Sequence, residues 1–291
     1  MTVLIAKPAW LRLSPDYTSE LSAASVTSGM KRFMTTIFVF LALTAMATGG
    51  PILLVSDFSD PAKIGTLDLG TGVFTQTGTT DAGELVNGPG NGVYGFRENG
   101  DWVKVAANGA TTFIGNSGLA LDEPARLADG TIYATDINHD LYIINGLTGG
   151  ATLVGSTGFV DPAGGAYAVS LISGQTNTLY AIATSIDLNT FVPIDHARLF
   201  QLDRATGAAT YIANVANDAV TCSIVINGVT FMFDFFGGVS TLDLNTGAVN
   251  PLYDLSGSLS GFHGIAEVPE PSTWAMGVLG LSAVVLRRRF R

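Results

Sequence analysis

A short segment that occurs four times along the chain constrains the fold more than any other feature. In each copy an alternating apolar strand ends at Asp or Asn, two residues follow, and Thr-Gly leads into a second strand. The turn glycines are Gly72, Gly149, Gly207 and Gly247, and the preceding acceptors are Asp68, Asn145, Asp203 and Asp243. Glycine adopts the positive φ that such turns need, and the acceptor side chains can bind N–H groups of the turn. The pattern predicts four β-hairpins in which these Asp and Asn residues are structural.

Each hairpin ends a longer repeat unit. Another short strand precedes it, with a small apolar segment before that, so each unit has three or four strands in an up-and-down meander. A degenerate fifth copy keeps only Asn108-Gly109, and the five turn glycines are 37, 40, 58 and 40 residues apart. Five blades of about 42 residues need about 210, and residues 52–268 supply 217. The sequence therefore predicts an all-β, five-bladed β-propeller.

The two ends of this region predict how the ring closes. The first unit lacks an inner strand, whereas residues 261–268 form an inner-type strand that no outer strand follows. Placing the last strand inside the first blade would close the ring and remove exposed sheet edges. Six or seven blades and a β-solenoid are the alternatives, but the chain is short for the former and its repeats are long for the latter.

The charge of the body excludes one class of function. Residues 48–268 contain six Lys and Arg against 21 Asp and Glu, a net charge of −15. A body this acidic repels phosphate backbones, so we expect no nucleic-acid binding. The single cysteine, Cys222, lies in an apolar stretch and is expected to be a plain core residue.

Residues 30–47 have the pattern of a secretory signal peptide. The positive charges before its apolar run are Lys31 and Arg32, and the small-x-small cleavage pattern after it is formed by Ala45 and Ala47. Residues 1–29 show no sustained periodicity, so we predict that they are a mis-assigned or disordered extension and that translation starts at Met30. The alternative is a membrane-anchoring helix, although the run is shorter than the ~20 residues that a span prefers.

The C-terminus combines an uncharged apolar run with a cluster of positive charges. Residues 274–286 are 13 residues without a charge, about 20 Å of helix against a hydrocarbon layer of ~30 Å. The charges that follow are Arg287, Arg288, Arg289 and Arg291. Because arginine side chains reach toward lipid headgroups and basic ends stay in the cytoplasm, the pattern predicts a transmembrane helix that leaves the body outside.

Directly before this run stands Pro269-Glu270-Pro271. The order of tripeptide, apolar run and arginine cluster in residues 269–291 resembles the sorting signal of PEP-CTERM proteins of Gram-negative bacteria. The resemblance implies that an exosortase, a membrane-embedded cysteine transpeptidase, recognises the tripeptide and removes the tail. It also implies a precursor held transiently in the inner membrane and a mature form at the outer surface or in the extracellular matrix. A simple tail anchor or stop-transfer helix is the alternative.

Two segments of the body are candidates for binding. Asp136, Asn138 and Asp140 alternate in a way that can present oxygen ligands to calcium, but the glycine and the twelfth-position Glu of a full calcium loop are missing. A polar hairpin turn is the alternative there. An insertion at residues 185–197 predicts a projecting loop, either a binding loop or a tolerated elaboration.

A third candidate site combines acidic residues with one histidine. Glu84, Asp122, Glu123 and His263 lie on inner strands near the point where the blades meet the central channel. If they converge, the carboxylates raise one another's pKa and the group can bind a cation or act as acid and base. Solvated strand ends are the alternative. We predict no catalytic residue and no cofactor other than calcium.

Together these features predict a secreted, exosortase-processed surface or matrix protein whose propeller is a binding or structural module, for exopolysaccharide or another surface protein. The alternative is a calcium-assisted extracellular propeller enzyme, a hydrolase or lyase. Signal peptidase and exosortase are the expected partners during export. The two functions differ in one observable, because an enzyme should bring the acidic groups and His263 within about 5 Å of one another in an open channel.

Overall fold

A computed structural model of the chain describes residues 50–159, 166–174, 176–186, 195–217 and 219–268. These residues belong to the second of two compact units, Gly49–Arg291. The predicted signal peptide, the predicted transmembrane helix and most of the insertion at 185–197 lie outside the described residues. Within the described ranges, no helix is long and apolar enough to cross a membrane.

The described residues form twenty β-strands and one short 3-10 turn, Pro89–Asn91. In chain order the strands are β1 (Ile52–Ser56), β2 (Ala62–Asp68), β3 (Val73–Thr80), β4 (Glu84–Asn87), β5 (Val93–Phe96), β6 (Asp101–Val105), β7 (Thr111–Asn116), β8 (Leu121–Arg126), β9 (Ile132–Asp136), β10 (Asp140–Ile144), β11 (Ala151–Ser156), β12 (Ala166–Ser173), β13 (Leu179–Ile186), β14 (Arg198–Leu202), β15 (Ala209–Asn214), β16 (Val220–Ile226), β17 (Val229–Asp234), β18 (Gly238–Leu242), β19 (Val249–Asp254) and β20 (Gly264–Glu267).

The strands form five antiparallel sheets of four strands each, which are the five blades of a propeller. Blades 2 to 5 are meanders of consecutive strands that begin at β4, β8, β12 and β16. Blade 1 has the order β20-β1-β2-β3, and Leu53 pairs with Glu267 across the junction. The predicted five blades and the predicted closure by the last strand are therefore confirmed, and the described residues form neither six or seven blades nor a solenoid.

The hydrophobic core is divided among the five interfaces between blades. Each cluster of buried side chains draws its members from two neighbouring blades, and together the clusters join blades 1 and 2, 2 and 3, 3 and 4, 4 and 5, and 5 and 1. Cys222 is buried in the cluster between blades 5 and 1, as predicted, and burial raises the pKa of its thiol. Because every sheet buries both faces against its neighbours, no blade has a core of its own.

The repeated Thr-Gly turns have a second role that the repeat alone does not reveal. Their acceptors bind turn N–H groups as predicted, for example Asp203 Oδ1 to the amide of Ala205 at 2.8 Å. In addition, each turn glycine packs against the preceding blade. A Cβ on Gly149 would lie 2.5 Å from Cβ of Trp102, and the indole of Trp102 donates a hydrogen bond to the carbonyl of Gly146 in the same turn. These glycines are required by close approach as well as by φ.

Strand direction gives the propeller two distinct ends. The inner strands β4, β8, β12, β16 and β20 begin at one end, which we call the mouth end, and finish at the other, which we call the turn end because the Thr-Gly turns lie there. The first strand of the body starts and the last strand finishes at the turn end, where the amide of Val268 donates to the carbonyl of Ile52 at 3.0 Å.

Candidate functional site

A cavity of about 280 Å³ lies at the mouth end of the channel. All five blades contribute to its wall, which shows that it lies where the blades converge. Its lining side chains are Phe58, Glu84, Asp122, Glu123, Thr135, Asp136, Ile137, His139, Val169, Thr221 and His263. The four residues of the predicted acidic and histidine group are thus all in this one cavity, and we call them the channel cluster.

A direct contact joins two members of the channel cluster. The Nε2 atom of His263 lies 3.0 Å from Oε1 of Glu84. Glu123 and Asp122 line the same cavity as this pair, close enough for Glu84 to raise the pKa of both carboxyls. The four side chains thus line one cavity, and the contact between Glu84 and His263 joins two of them directly. Whether the cluster binds a ligand or acts as acid and base stays a prediction.

A β-bulge in the inner strand of blade 3 directs two of the carboxylates into the cavity. Asp122 pairs with Thr135 and Ala125 pairs with Tyr133, so one extra residue is inserted on β8. Glu123 in this bulge has a φ of 48°, which is uncommon for a residue with a side chain. Bulges of this kind re-aim side chains and are frequent beside binding sites.

His263 is held from two sides in the segment before β20. Its backbone amide donates to the carbonyl of Ser56 at 2.9 Å. The ring of Phe58 stacks on its imidazole with the centroids 4.4 Å apart. The hydroxyl of Ser56 also donates to the carbonyl of Gly83 at 2.7 Å, and these bonds fix the first blade against the strand that carries Glu84.

The electrostatic environment shifts the pKa of three members of the channel cluster. Burial alone would lower the pKa of His263, but Glu84, Asp122 and Glu98 raise it and the net shift is upward. Burial, together with Glu84 and Asp136, raises the pKa of Asp122 to about 6. Asp122 is an exposed residue, but it lines the confined mouth cavity, where its charge is less well solvated than on an open surface. Burial first, and then Glu84 and Asp122, raise the pKa of Glu123 well above its ordinary value.

Exposed aromatic and aliphatic side chains surround the mouth. Phe58 and Phe235 pack with their centroids 5.0 Å apart, and Phe236 and Ile137 are 63% and 78% exposed. All four lie in turns between the second and third strands of their blades. This rim was not predicted from the sequence; its signal there is an apolar residue after the Asp that begins the turn, as in Asp57-Phe58, Asp136-Ile137 and Asp234-Phe235.

A larger cavity of about 620 Å³ adjoins the cluster between blades 1, 2 and 3 and shares Phe58, Glu84, Asp122 and His263 with it. Arg97 is the sole Lys or Arg among the described residues that line either cavity. Its guanidinium lies 2.8 Å from Asp81 and 3.4 Å from Asp101, so its charge is already balanced. The mouth therefore has an excess of negative charge.

The residues predicted to bind calcium lie beside the mouth and form a tight turn. Oδ1 of Asp136 accepts hydrogen bonds from the amides of Asn138 and Asp140 at 3.0 and 2.9 Å. Asp57 and Asp234 accept the equivalent bonds in blades 1 and 5. The part of the chain that the structure describes has no group of three or more His, Cys, Asp or Glu side chains placed to hold a metal ion. Calcium binding here stays a prediction.

At the turn end the channel opens into another cavity, of about 720 Å³. Its lining includes residues near the ends of the inner strands, among them Asn87, Arg126, Ser173, Val225 and Glu267, and residues of the turns that follow them. It contains neither the histidine nor the paired carboxylates. The chemistry of the channel is therefore concentrated at the mouth end.

The remaining predicted site residues lie outside the described residues. They are the signal-peptide positions Ala45 and Ala47, the tripeptide Pro269, Glu270 and Pro271, and the arginines Arg287, Arg288, Arg289 and Arg291. The assignment of Ala45, Ala47 and Arg291 rests on the sequence alone and stays a prediction, whereas the tripeptide and the other three arginines lie within a family match to the C-terminus.

Comparison with solved structures finds many propeller-like chains of low similarity. They include a protein of unknown function from Bacteroides thetaiotaomicron (15% identity, TM-score 0.46). The match covers 71% of the present chain and 59% of that protein. The present chain thus spans less than two thirds of that protein. They also include a gluconolactonase from Xanthomonas campestris (10% identity, TM-score 0.40, 74% of this chain and 88% of that one). A comparison with curated protein sequences finds no match.

One family model matches, and it covers the C-terminus. Residues 267–289 match the PEP-CTERM protein-sorting motif, in agreement with the order of tripeptide, apolar run and arginines. The motif implies export, a membrane-anchored precursor and processing by an exosortase. The chain therefore carries a PEP-CTERM sorting signal directly behind a five-bladed β-propeller.

Proposed function

We propose that the mature protein acts at the outer surface or in the extracellular matrix as a binding module, and that it holds a polyhydroxyl ligand, such as a segment of exopolysaccharide, at its mouth end. The observation that supports this is the convergence of Glu84, Asp122, Glu123 and His263 in one cavity. Carboxylates accept hydrogen bonds from sugar hydroxyls, and the exposed rim supplies the apolar surface against which sugar rings pack.

The negative charge of the mouth limits which sugars we expect to bind. The mouth carries several carboxyl groups, and its arginine is already paired with Asp81 and Asp101. An anionic sugar would therefore meet an excess of like charges, because the imidazole of His263, whose pKa is raised, is itself paired with Glu84, and the cost grows as water is excluded. We expect neutral or amino sugars to bind and uronic acids to be rejected.

Isothermal titration calorimetry of the exosortase-processed protein tests this proposal. The probes are a neutral cello-oligosaccharide, a glucosamine oligosaccharide and an oligogalacturonate. We expect binding of one or both of the first two, no binding of the third, and loss of binding in Asp122→Asn. Asp243→Asn is the matched control, because it removes a carboxylate at the turn end, where Asn145 occupies the equivalent position in blade 3, and it should bind normally. Binding of the oligogalacturonate alone, or normal binding by Asp122→Asn, would contradict the proposal.

A specific observation favours a second function, acid–base catalysis. Asp122 and His263 line one cavity; burial raises the pKa of Asp122 to about 6, and Glu84 raises that of His263, so both groups are candidates for proton transfer. An enzyme should release new reducing ends from a bound oligosaccharide with a bell-shaped pH profile. If saccharide binds and no new ends are released, the binding function stands and catalysis is rejected. A calcium titration of the melting temperature tests the calcium prediction separately.

The processing step has its own test. We expect the mature protein from cells with exosortase to lack the mass of residues 274–286 and the arginine tail, and the protein from exosortase-deficient cells to retain it. Retention of the tail in both strains would contradict exosortase processing and favour a simple tail anchor.

A further inference from the structure

We propose that the membrane-attached precursor holds its propeller with the turn end facing the lipid surface and the mouth end facing away. The starting observation is that both ends of the described body leave the turn end side by side. The amide of Val268 bonds to the carbonyl of Ile52, and Leu53 pairs with Glu267. In this orientation the turn end faces the bilayer into which the predicted C-terminal transmembrane segment is inserted.

The chain leaves the propeller near its axis. β20 is the innermost strand of blade 1 and forms part of the channel wall, with Glu267 lining the cavity at the turn end. Asn87 of blade 2 fixes this strand, because its side chain accepts from the amide of Glu267 at 2.9 Å and donates to the carbonyl of Glu267 at 2.7 Å. The exit point is therefore anchored in two blades and does not swing outward.

The length of the connection excludes the opposite orientation. Residues 269–273, which separate the fold from the predicted membrane segment, reach at most about 17 Å when fully extended, and about 5 to 7 Å of that lies within the headgroup layer. To lay the mouth on the membrane, the chain would cross three outer strands and then follow the height of the blade. At about 4.8 Å between strands and 3.3 Å per residue, that path is about 30 Å long. The connection is too short for it.

The orientation has a consequence for the channel cluster. While the precursor is still attached, the cluster faces the aqueous side, so ligand can reach it before exosortase acts. This consequence rests on the proposed binding function, whereas the orientation itself does not. The two can therefore fail independently.

Cysteine labelling of the full-length precursor in right-side-out spheroplasts without exosortase tests the orientation. Ile137→Cys places a thiol at the mouth end and Leu147→Cys places one at the turn end of the same blade, and the two side chains are similarly exposed, 78% and 73%. The reagent is a maleimide with a large polyethylene glycol chain, which does not fit between the turn end and the membrane. The native Cys222 is buried, so its lack of labelling reports that each variant is folded.

We expect Ile137→Cys to label fully and Leu147→Cys to lose its labelling. Inserting a flexible Gly/Ser linker of about 20 residues, with an r.m.s. length of about 25 Å, between Val268 and Pro269 should restore labelling of Leu147→Cys in the same membrane. Equal labelling of both sites with the native connection, or protection of Ile137→Cys, would overturn the orientation. Saccharide binding is measured separately on the processed protein, so its failure leaves this result intact.

Discussion

The Nε2 atom of His263 and Oε1 of Glu84 lie 3.0 Å apart and join the segment before the closing strand of blade 1 to the inner strand of blade 2. The contact therefore links the segment that leads into the closing strand to the acidic side chains of the channel cluster. Because its two partners come from opposite ends of the body sequence, the site exists only after the ring has closed.

The raised pKa of His263 predicts how this contact depends on pH. A folded-state pKa above 6.5 means that the protonated imidazole stabilises the fold below about pH 6.5, and that this stability is lost as pH rises through the folded value. Near pH 6 we expect the free energy of unfolding of the wild type to be about 1 kcal/mol higher than that of His263→Gln, which corresponds to about 2–4 °C in melting temperature. The difference should decrease toward pH 9. A difference that is constant with pH would show that packing on Phe58, not charge, holds the ring.

The opposite sign applies to Asp122. Its pKa of about 6 lies above the ordinary 3.8, so the ionised carboxylate destabilises the fold at neutral pH and this penalty disappears as pH falls toward 4. We expect Asp122→Asn to raise stability at pH 7.5 by about 1 kcal/mol after solvent screening. Thermal melts of Asp122→Asn and of the control Glu267→Gln across this pH range measure it. Destabilisation of Asp122→Asn at pH 7.5 would show that the carboxylate has a structural partner.

The close approach of the turn glycines predicts unequal costs for the same substitution. Gly149 and Gly118 have φ values of 73° and 75°, but a Cβ on Gly149 meets Trp102 at 2.5 Å whereas one on Gly118 meets nothing within 4 Å. We expect Gly118→Ala to cost about 1 kcal/mol from its backbone conformation alone. Gly149→Ala adds overpacking and should cost about 3 kcal/mol. Urea unfolding measures both, and equal costs would contradict the steric role of the interface between blades 2 and 3.

Ring closure is tested by Asn87. Its side chain makes two hydrogen bonds to the backbone of Glu267, so Asn87→Ala should cost about 1 kcal/mol. It should also speed amide exchange at Ala266 and Glu267, because these bonds hold the closing strand. Asn245→Ala, in an exposed turn, is the control and should leave exchange in β20 unchanged. Unchanged exchange in Asn87→Ala would show that the pairing with β1 suffices.

Much of the fold was predictable because turn chemistry is local. The turns need a glycine with positive φ and an Asp side chain that accepts hydrogen bonds from amides two or three residues away, and this requirement leaves a recurring pattern in the sequence. The last strand, which no outer strand follows, indicated how the ring closes. The contact between Gly149 and Trp102 was not predictable in the same way, since it joins residues of different blades whose spacing depends on the assembled ring.

The site was predictable only in outline. Glu84, Asp122, Glu123 and His263 were recognisable as polar positions on inner strands, but the bulge that turns Glu123 toward Glu84 depends on one positive φ in a residue that is not glycine. The alternating Asp136, Asn138 and Asp140 suggested a cation site. However, the side chains of Asp57 and Asp234 accept the same kind of hydrogen bonds from turn amides, which indicates a structural role for all three Asp residues. Comparing the three turns in the sequence would have indicated this shared role and the apolar rim.

The closing strand also sets the order of events during synthesis. Leu53 cannot pair with Glu267 until more than two hundred further residues have been made, and such distant pairing makes folding slow. Until then blade 1 has an open inner edge and the cluster lacks its histidine. Since the sorting motif follows β20 directly, the ring can close only once the chain has been made up to that motif. A protein truncated before residue 264 would therefore lack both its sorting motif and its closing strand.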